Sequence, residues 1–279
     1  MGVMIASCAT PHNKLLLIGG IPDQDASVLQ DRFNLLAEYL TEETNVTVKY
    51  LPSVDYAAVV TGFKTGDIDM AWYGGLTGVQ ARLAVPNSIA IAQRPSDERF
   101  VSAFIAKTEL DITELHEFKG RSFTFGSESS TSGNLMPRSF LNKEGLTPER
   151  DFSAVNYSGS HDKTWKLVEA GTFDGGALNA VVWNARVASG DVDLTKVKLV
   201  KFTESYYDYH WVIRGDVDDR LGKGTIQKIK ESLLALNSQR GGREKTIMEA
   251  FQAEQFIPTA NRNYKAIEDI ARKLEIIQD

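Results

Sequence analysis

Leu15-Leu16-Leu17-Ile18-Gly19-Gly20, the stretch from Ala26 to Leu40, and Val46-Thr47-Val48-Lys49-Tyr50-Leu51 read together as one β-α-β unit. The first is an apolar run halted by two glycines, the mark of a buried strand. In the second, Leu29, Phe33, Leu36 and Leu40 recur at helical spacing and line one face. The third alternates, with Val46, Val48 and Tyr50 on one side. Outward from this unit, Val59 and Phe63 mark a short helix, and Ile68 to Trp72, Ser88 to Ile91 and Val101 to Ala106 read as strands. Strands alternating with helices predict a mostly parallel, helix-covered sheet.

A second run of the same kind begins near Asp111. Phe123 to Phe125, Phe152 to Tyr157, Gly176 to Val182 and Val197 to Phe202 read as strands, with helices from about Ser132 and over Asp162 to Glu169. His210 to Ile213 is one more strand. Beyond Arg214 the chain is mainly helical, with Ile226, Ile229, Leu233 and Leu236, then Ile247 and Phe251, then Ile267, Ile270 and Leu274. These late helices have no sheet of their own and are expected to pack back onto the first lobe. The expected architecture is α/β: two β/α lobes joined by two hinge strands around a cleft, with residues 1–107 in lobe 1, 108–211 in lobe 2 and 212–279 returning to lobe 1.

Composition removes several function classes. The 279 residues are 42% hydrophobic and 24% charged, which excludes wholesale disorder, collagen and a coiled coil. Thirty-one basic residues against 37 acidic ones leave a net charge of −6, with no basic stripe for nucleic acid. One cysteine makes no internal disulfide, four scattered histidines give no metal-binding spacing, and no motif asks for a cofactor. Ile5-Ala6-Ser7-Cys8 reads like a lipobox, whose cysteine is lipidated; a chance string of small residues reads the same way.

Chemistry concentrates in Phe125-Gly126-Ser127-Glu128-Ser129-Ser130-Thr131-Ser132-Gly133-Asn134-Leu135, where a strand runs into hydroxyls and a helix. Amides at a helix N-terminus attract anions, and Ser130, Thr131 and Ser132 add neutral donors. No lysine or arginine stands in the cluster, which suits reversible capture better than phosphoryl transfer. A plain helix cap would use the same residues. Trp72-Tyr73-Gly74-Gly75 and Tyr206-Tyr207-Asp208-Tyr209-His210-Trp211 set aromatics at strand ends, either as cleft walls or as core. His161 occupies another strand-to-helix turn.

Leu51-Pro52-Ser53-Val54-Asp55-Tyr56, Asp67-Ile68-Asp69-Met70-Ala71-Trp72-Tyr73-Gly74, Ser130-Thr131-Ser132-Gly133 with Pro137, and Gly159-Ser160-His161-Asp162 follow one another at characteristic separations. Together they resemble the phosphonate/phosphite-binding proteins of bacterial ABC importers, a periplasmic family of the type II fold. The resemblance implies a periplasmic protein, tethered through Cys8 on the lipobox reading, that acts as a monomer and hands a small oxyanion to an inner-membrane permease. It implies that Tyr56 and Tyr73 stand on one cleft wall, with Ser130, Thr131, Ser132 and His161 holding phosphonate oxygens from the other. Relatives taking aminoalkyl phosphonates resemble a pattern with carboxylates for the amine. Here the first such stretch is Ala177-Leu178-Asn179-Ala180-Val181-Val182, without an acid, and the second is tyrosine-rich, with Asp208 displaced. Phosphite or methylphosphonate is therefore the expected ligand, with Asp208 accepting a ligand hydroxyl and Trp72, Tyr206 or Tyr209 covering the P–H or P–CH₃ face. A broader phosphonate or phosphate binder, a sensory partner of the same shape, and a serine hydrolase using Ser130 and His161 (with Asp208 completing a triad) stay open beside it.

Overall fold

A computed structural model describes residues 14–278. In chain order the elements are β1 (Leu15–Gly20), α1 (Ala26–Thr44), β2 (Thr47–Tyr50), α2 (Tyr56–Thr65), β3 (Met70–Tyr73), α3 (Gly75–Ala84), β4 (Ile89–Gln93) and β5 (Ser102–Lys107). Next come β6 (Ser122–Phe125), a π-helical turn (Thr131–Leu135) leading into α4 (Met136–Lys143), α5 (Pro148–Asp151), β7 (Ala154–Tyr157), α6 (His161–Glu169), β8 (Gly175–Asn179) and α7 (Ala180–Ser189). The last are β9 (Val197–Phe202), β10 (His210–Ile213), α8 (Val217–Leu221), α9 (Thr225–Ala235), α10 (Gly242–Ala250), β11 (Ile257–Pro258) and α11 (Lys265–Lys273).

Two sheets form, one per lobe. The first has the order β11-β4-β10-β3-β1-β2 and the second β7-β6-β8-β5-β9. Each is mixed rather than mostly parallel. β1 pairs in parallel with β2 and β3, but β10 enters antiparallel between β3 and β4. β6 pairs in parallel with β7 and β8, but β5 runs antiparallel to β8 and β9. The local β-α-β units set parallel neighbours, whereas a strand arriving straight from the other lobe meets them head-on.

The lobe boundaries expected from the sequence shift accordingly. β5, expected in lobe 1, pairs with β8 and β9 of the second sheet, and Phe104 packs there with Phe118 and Phe123. The outward crossing therefore spans residues 94–101 and the return crossing residues 203–209. Phe100 and Tyr206 tie the two crossings together by exchanging backbone hydrogen bonds of 2.8 and 2.9 Å. The returning helices pack as expected: Ile229, Leu233, Ile247, Phe251 and Ile267 are buried in the first-lobe core with Phe33 and Trp72. Leu135 and Met136, from the second lobe, are buried in that same core, so the lobes are closed on each other. Cys8 lies outside the described residues.

Candidate functional site

Helix starts converge on the space between the lobes. Ser160 opens α6, accepting from the Lys163 amide at 3.4 Å, and Asn179 opens α7, accepting from Val181 and Val182 at 2.7 and 3.2 Å. Ser130 opens the turn before α4 by accepting from the Gly133 amide at 2.9 Å. The cap reading of Ser130 is thus right as far as its lone pair goes, while its O–H proton is left for another acceptor. A helix start leaves its first amides without intrahelical partners, so Thr131 and Ser132 present amides as well as hydroxyls. All three hydroxyl residues are buried.

Opposite them stands the end of β3. The α3 amides Gly75 and Leu76 donate to Asp208 Oδ1 at 2.8 Å and to Thr131 Oγ1 at 2.9 Å. A Cβ on Gly74 would lie 3.1 Å from both of those oxygens, so any larger residue would press them back by a few tenths of an ångström. Tyr56, the first residue of α2, is buried with its hydroxyl beside Ser130 but without a well-formed hydrogen bond. Asp208 Oδ2 is likewise buried without a protein partner.

His161, Tyr209 and Asp23 form a connected group. The Asn179 amide donates to His161 Nδ1 at 3.3 Å, which assigns the ring proton to Nε2, 3.3 Å from the Tyr209 hydroxyl. That hydroxyl accepts from Asn179 Nδ2 at 3.3 Å and donates to Asp23 Oδ2 at 2.8 Å. The His161 amide donates across the cleft to the Asp23 carbonyl at 3.1 Å. Asp23 Oδ1 has no partner among the described residues, although Asp23 is only 2% exposed.

Burial sets the charge states. It lowers the basicity of His161, keeping the imidazole neutral, and holds the phenols of Tyr56, Tyr206 and Tyr209 well above their usual value, so all three stay protonated. Burial pushes the Asp208 carboxyl up to about 7, against the pull of the Gly75 amide. The group therefore offers neutral donors together with two carboxylic side chains that keep free oxygens.

Some expected residues sit elsewhere. Tyr73 is not a cleft wall: its hydroxyl donates to the Val59 carbonyl at 3.1 Å and its ring meets Phe63 edge-on, inside the first lobe. Successive strand residues point to opposite faces, so Trp72 takes the other side. Trp72 stacks on Tyr209, with centroids 5.7 Å apart, and packs with Trp211, Phe251 and Phe256. The Tyr206 hydroxyl is 2.6 Å from Ser102 Oγ at the crossing, with Ser132 also beside it. Asp208 is buried at the end of the return crossing. His161 hydrogen-bonds neither Ser130 nor Asp208, so the relay of a serine hydrolase is not assembled.

Three residues escaped the sequence reading: Asp23, Asn179 as a donor, and Arg94. Arg94 forks onto Asp97 at 2.7 and 2.8 Å and lies over both Trp72 and Tyr209, bracing the aromatic floor with a charge its partner cancels. The acid three residues after Arg94 was the available signal for that pair. Asn179 was quoted only as the absence of an acid.

A family model described as ABC transporter, phosphonate, periplasmic substrate-binding protein matches residues 18–264. The chain is 43% identical over 272 residues to the probable ABC transporter phosphite binding protein PhnD1 of Prochlorococcus marinus, covering 95% of this chain and 91% of that one. It is 28% identical over 230 residues to the phosphate-import protein PhnD of Mycolicibacterium smegmatis, covering 77% of this chain and 70% of that one. The structure of PhnD1 from P. marinus in complex with methylphosphonate matches with a TM-score of 0.92 at 44% identity, over 95% of this chain and all of that one (100%).

Proposed function

The chain belongs to the periplasmic substrate-binding proteins of phosphonate ABC transporters, with the type II two-lobed fold of its relatives, and we propose that it captures phosphite or methylphosphonate between its lobes. Membership makes it a periplasmic transporter component that serves a membrane permease. The observation that carries the ligand reading is the set of buried polar atoms without protein partners, Tyr56 Oη, Asp23 Oδ1 and Asp208 Oδ2, in a site that also presents the Ser130–Ser132 hydroxyls. Buried polar atoms are costly unless something satisfies them. A singly protonated phosphorus oxyacid satisfies two of the three, Tyr56 Oη and Asp208 Oδ2. Its bare oxygens accept from Ser130, Thr131, Ser132 and Tyr56, and its hydroxyl donates to Asp208.

The aromatic residues account for the fourth substituent. Tyr206 and Tyr209, with Trp72 stacked behind Tyr209, offer rings to a P–H or P–CH₃ group that makes no strong hydrogen bond. A second reading, inorganic phosphate, is favoured by the second free carboxylate oxygen, Asp23 Oδ1, since dihydrogen phosphate carries two hydroxyls. The protein acts as a monomeric carrier without catalytic turnover, and Cys8 tethers it to the membrane by a lipid.

Calorimetric titration against phosphite, methylphosphonate, phosphate and 2-aminoethylphosphonate tests the ligand. Phosphite or methylphosphonate must bind tightest. Phosphate binding as tightly as either would transfer the conclusion to the second reading. An intact unlipidated mass for protein extracted from membranes would remove the tether.

A further inference from the structure

Asp23 is the point at which three parts of the molecule meet. It follows β1 in the first lobe; Tyr209 closes the return crossing, 186 positions later; His161 starts α6 in the second lobe. The Tyr209 hydroxyl can donate only once, and it donates to Asp23 Oδ2, while His161 Nε2 and Asn179 Nδ2 point at its lone pairs. The Asp23 carbonyl then receives the His161 amide from across the cleft. One residue thus fixes a crossing with its side chain and the opposite lobe with its backbone.

We infer that Asp23 is a positioning residue that couples capture to closure: on the first-lobe side it fixes the Tyr209 hydroxyl so that its lone pairs meet His161 and Asn179 when the lobes close, completing a clasp with the His161 amide on the Asp23 carbonyl. The groups facing its carboxylate are Arg32 on α1, Arg94 on the outward crossing, Tyr50 on β2, Tyr56 on α2, Tyr209 and His161. Of these, only Tyr209 hydrogen-bonds the carboxylate, so the side chain acts on the clasp through that one contact, while the His161 amide bond to the Asp23 carbonyl is backbone and survives substitution. A clasp made after encounter slows escape and leaves association alone, because the open form presents its donors either way. The choice of ligand probe rests on the proposed function; the clasp itself does not.

The test uses the full chain as wild type, Asp23→Ala, Asp23→Asn, Tyr209→Phe and the double variant Asp23→Ala/Tyr209→Phe, with phosphite as probe. Stopped-flow fluorescence should show Asp23→Ala releasing phosphite roughly ten- to a hundredfold faster with association within about twofold. Asp23→Asn, whose amide oxygen still accepts from Tyr209, should recover most of the loss. Tyr209→Phe should match Asp23→Ala, and the double variant should be no worse than either. Release unchanged in Asp23→Ala, or additive losses in the double variant, overturns the clasp. Should the wild type bind no phosphite, the ligand reading fails alone. The same release measurements with whichever of methylphosphonate or phosphate the wild type binds then decide, and equal release from wild type and Asp23→Ala overturns the clasp.

Discussion

The backbone N–H of Leu76, in one lobe, donates to Oγ1 of Thr131, in the other, at 2.9 Å. Closure is therefore written partly in direct protein–protein hydrogen bonds, and the hydroxyl cluster proposed to hold the ligand also serves the facing lobe. Thr131→Ala removes both roles and Ser132→Ala one. Each should weaken phosphite binding by about 1.5–3 kcal/mol, roughly ten- to a hundredfold, with Thr131→Ala the larger. Calorimetry beside thermal unfolding checks it: normal affinity in both variants would reduce the segment to a helix cap.

Gly74 has an ordinary backbone, φ −75°, so alanine is conformationally allowed there. Its Cβ would nonetheless meet Thr131 Oγ1 and Asp208 Oδ1 at 3.1 Å, and the contact with Thr131 exists only when the lobes are shut. Gly74→Ala should fold normally, bind at least about tenfold more weakly, and keep a larger radius of gyration under saturating phosphite. A wild-type scattering profile with ligand would show that the lobes shut despite the added methyl.

Asp208 gives two pH signatures. Its carboxyl is raised from 3.8 to about 7 by burial, so the protonated form is favoured in the fold. That contribution is present in full below pH 3.8 and is lost as pH rises through about 7. Wild-type melting should therefore fall relative to Asp208→Asn between these limits; parallel melting curves would remove the shift. In binding, the carboxyl and the ligand share one proton. Once both have lost it, wild-type affinity should fall on the order of tenfold per pH unit, and asparagine, which can also donate, should blunt the fall. Identical binding profiles would end the proposed role.

An ammonium group finds no acceptor at the end of β8. Asn179 spends its oxygen on the Val181 and Val182 amides and turns its nitrogen to Tyr209. 2-Aminoethylphosphonate should bind at least about tenfold more weakly than methylphosphonate, since its longer substituent meets the packed Trp72–Tyr209 floor and holds the lobes apart. Comparable affinities in one calorimetric series would contradict this.

Much of the fold was legible because its cues are local. Leu29, Phe33, Leu36 and Leu40 are all buried as their spacing requires, and so is the Ile229–Leu233 face. β5 was misplaced because an apolar run reads alike in either sheet; its partner Leu178 lies far along the chain. Among candidate site residues, the hydroxyl cluster and His161 stand where the lobes meet, as expected, because strand-to-helix turns carry them. Tyr73 was misread since alternation tells which neighbours oppose each other but not which face meets the cleft. Asp23 carried no signal at all: an acid after a strand looks like any turn residue, and only the meeting with Tyr209 gives it meaning.

The paired bonds between Phe100 and Tyr206 decide how the molecule bends. Two independent tethers would let the halves slide, shear and twist. Two tethers stitched at their midpoints, with the Asp208 amide bonded to the Asp97 carbonyl at 3.0 Å as a further stitch, flex as a single leaf. The leaf leaves one easy degree of freedom, rotation about its own line. Every closing stroke then ends in the same relative pose, set by the leaf rather than by the cargo.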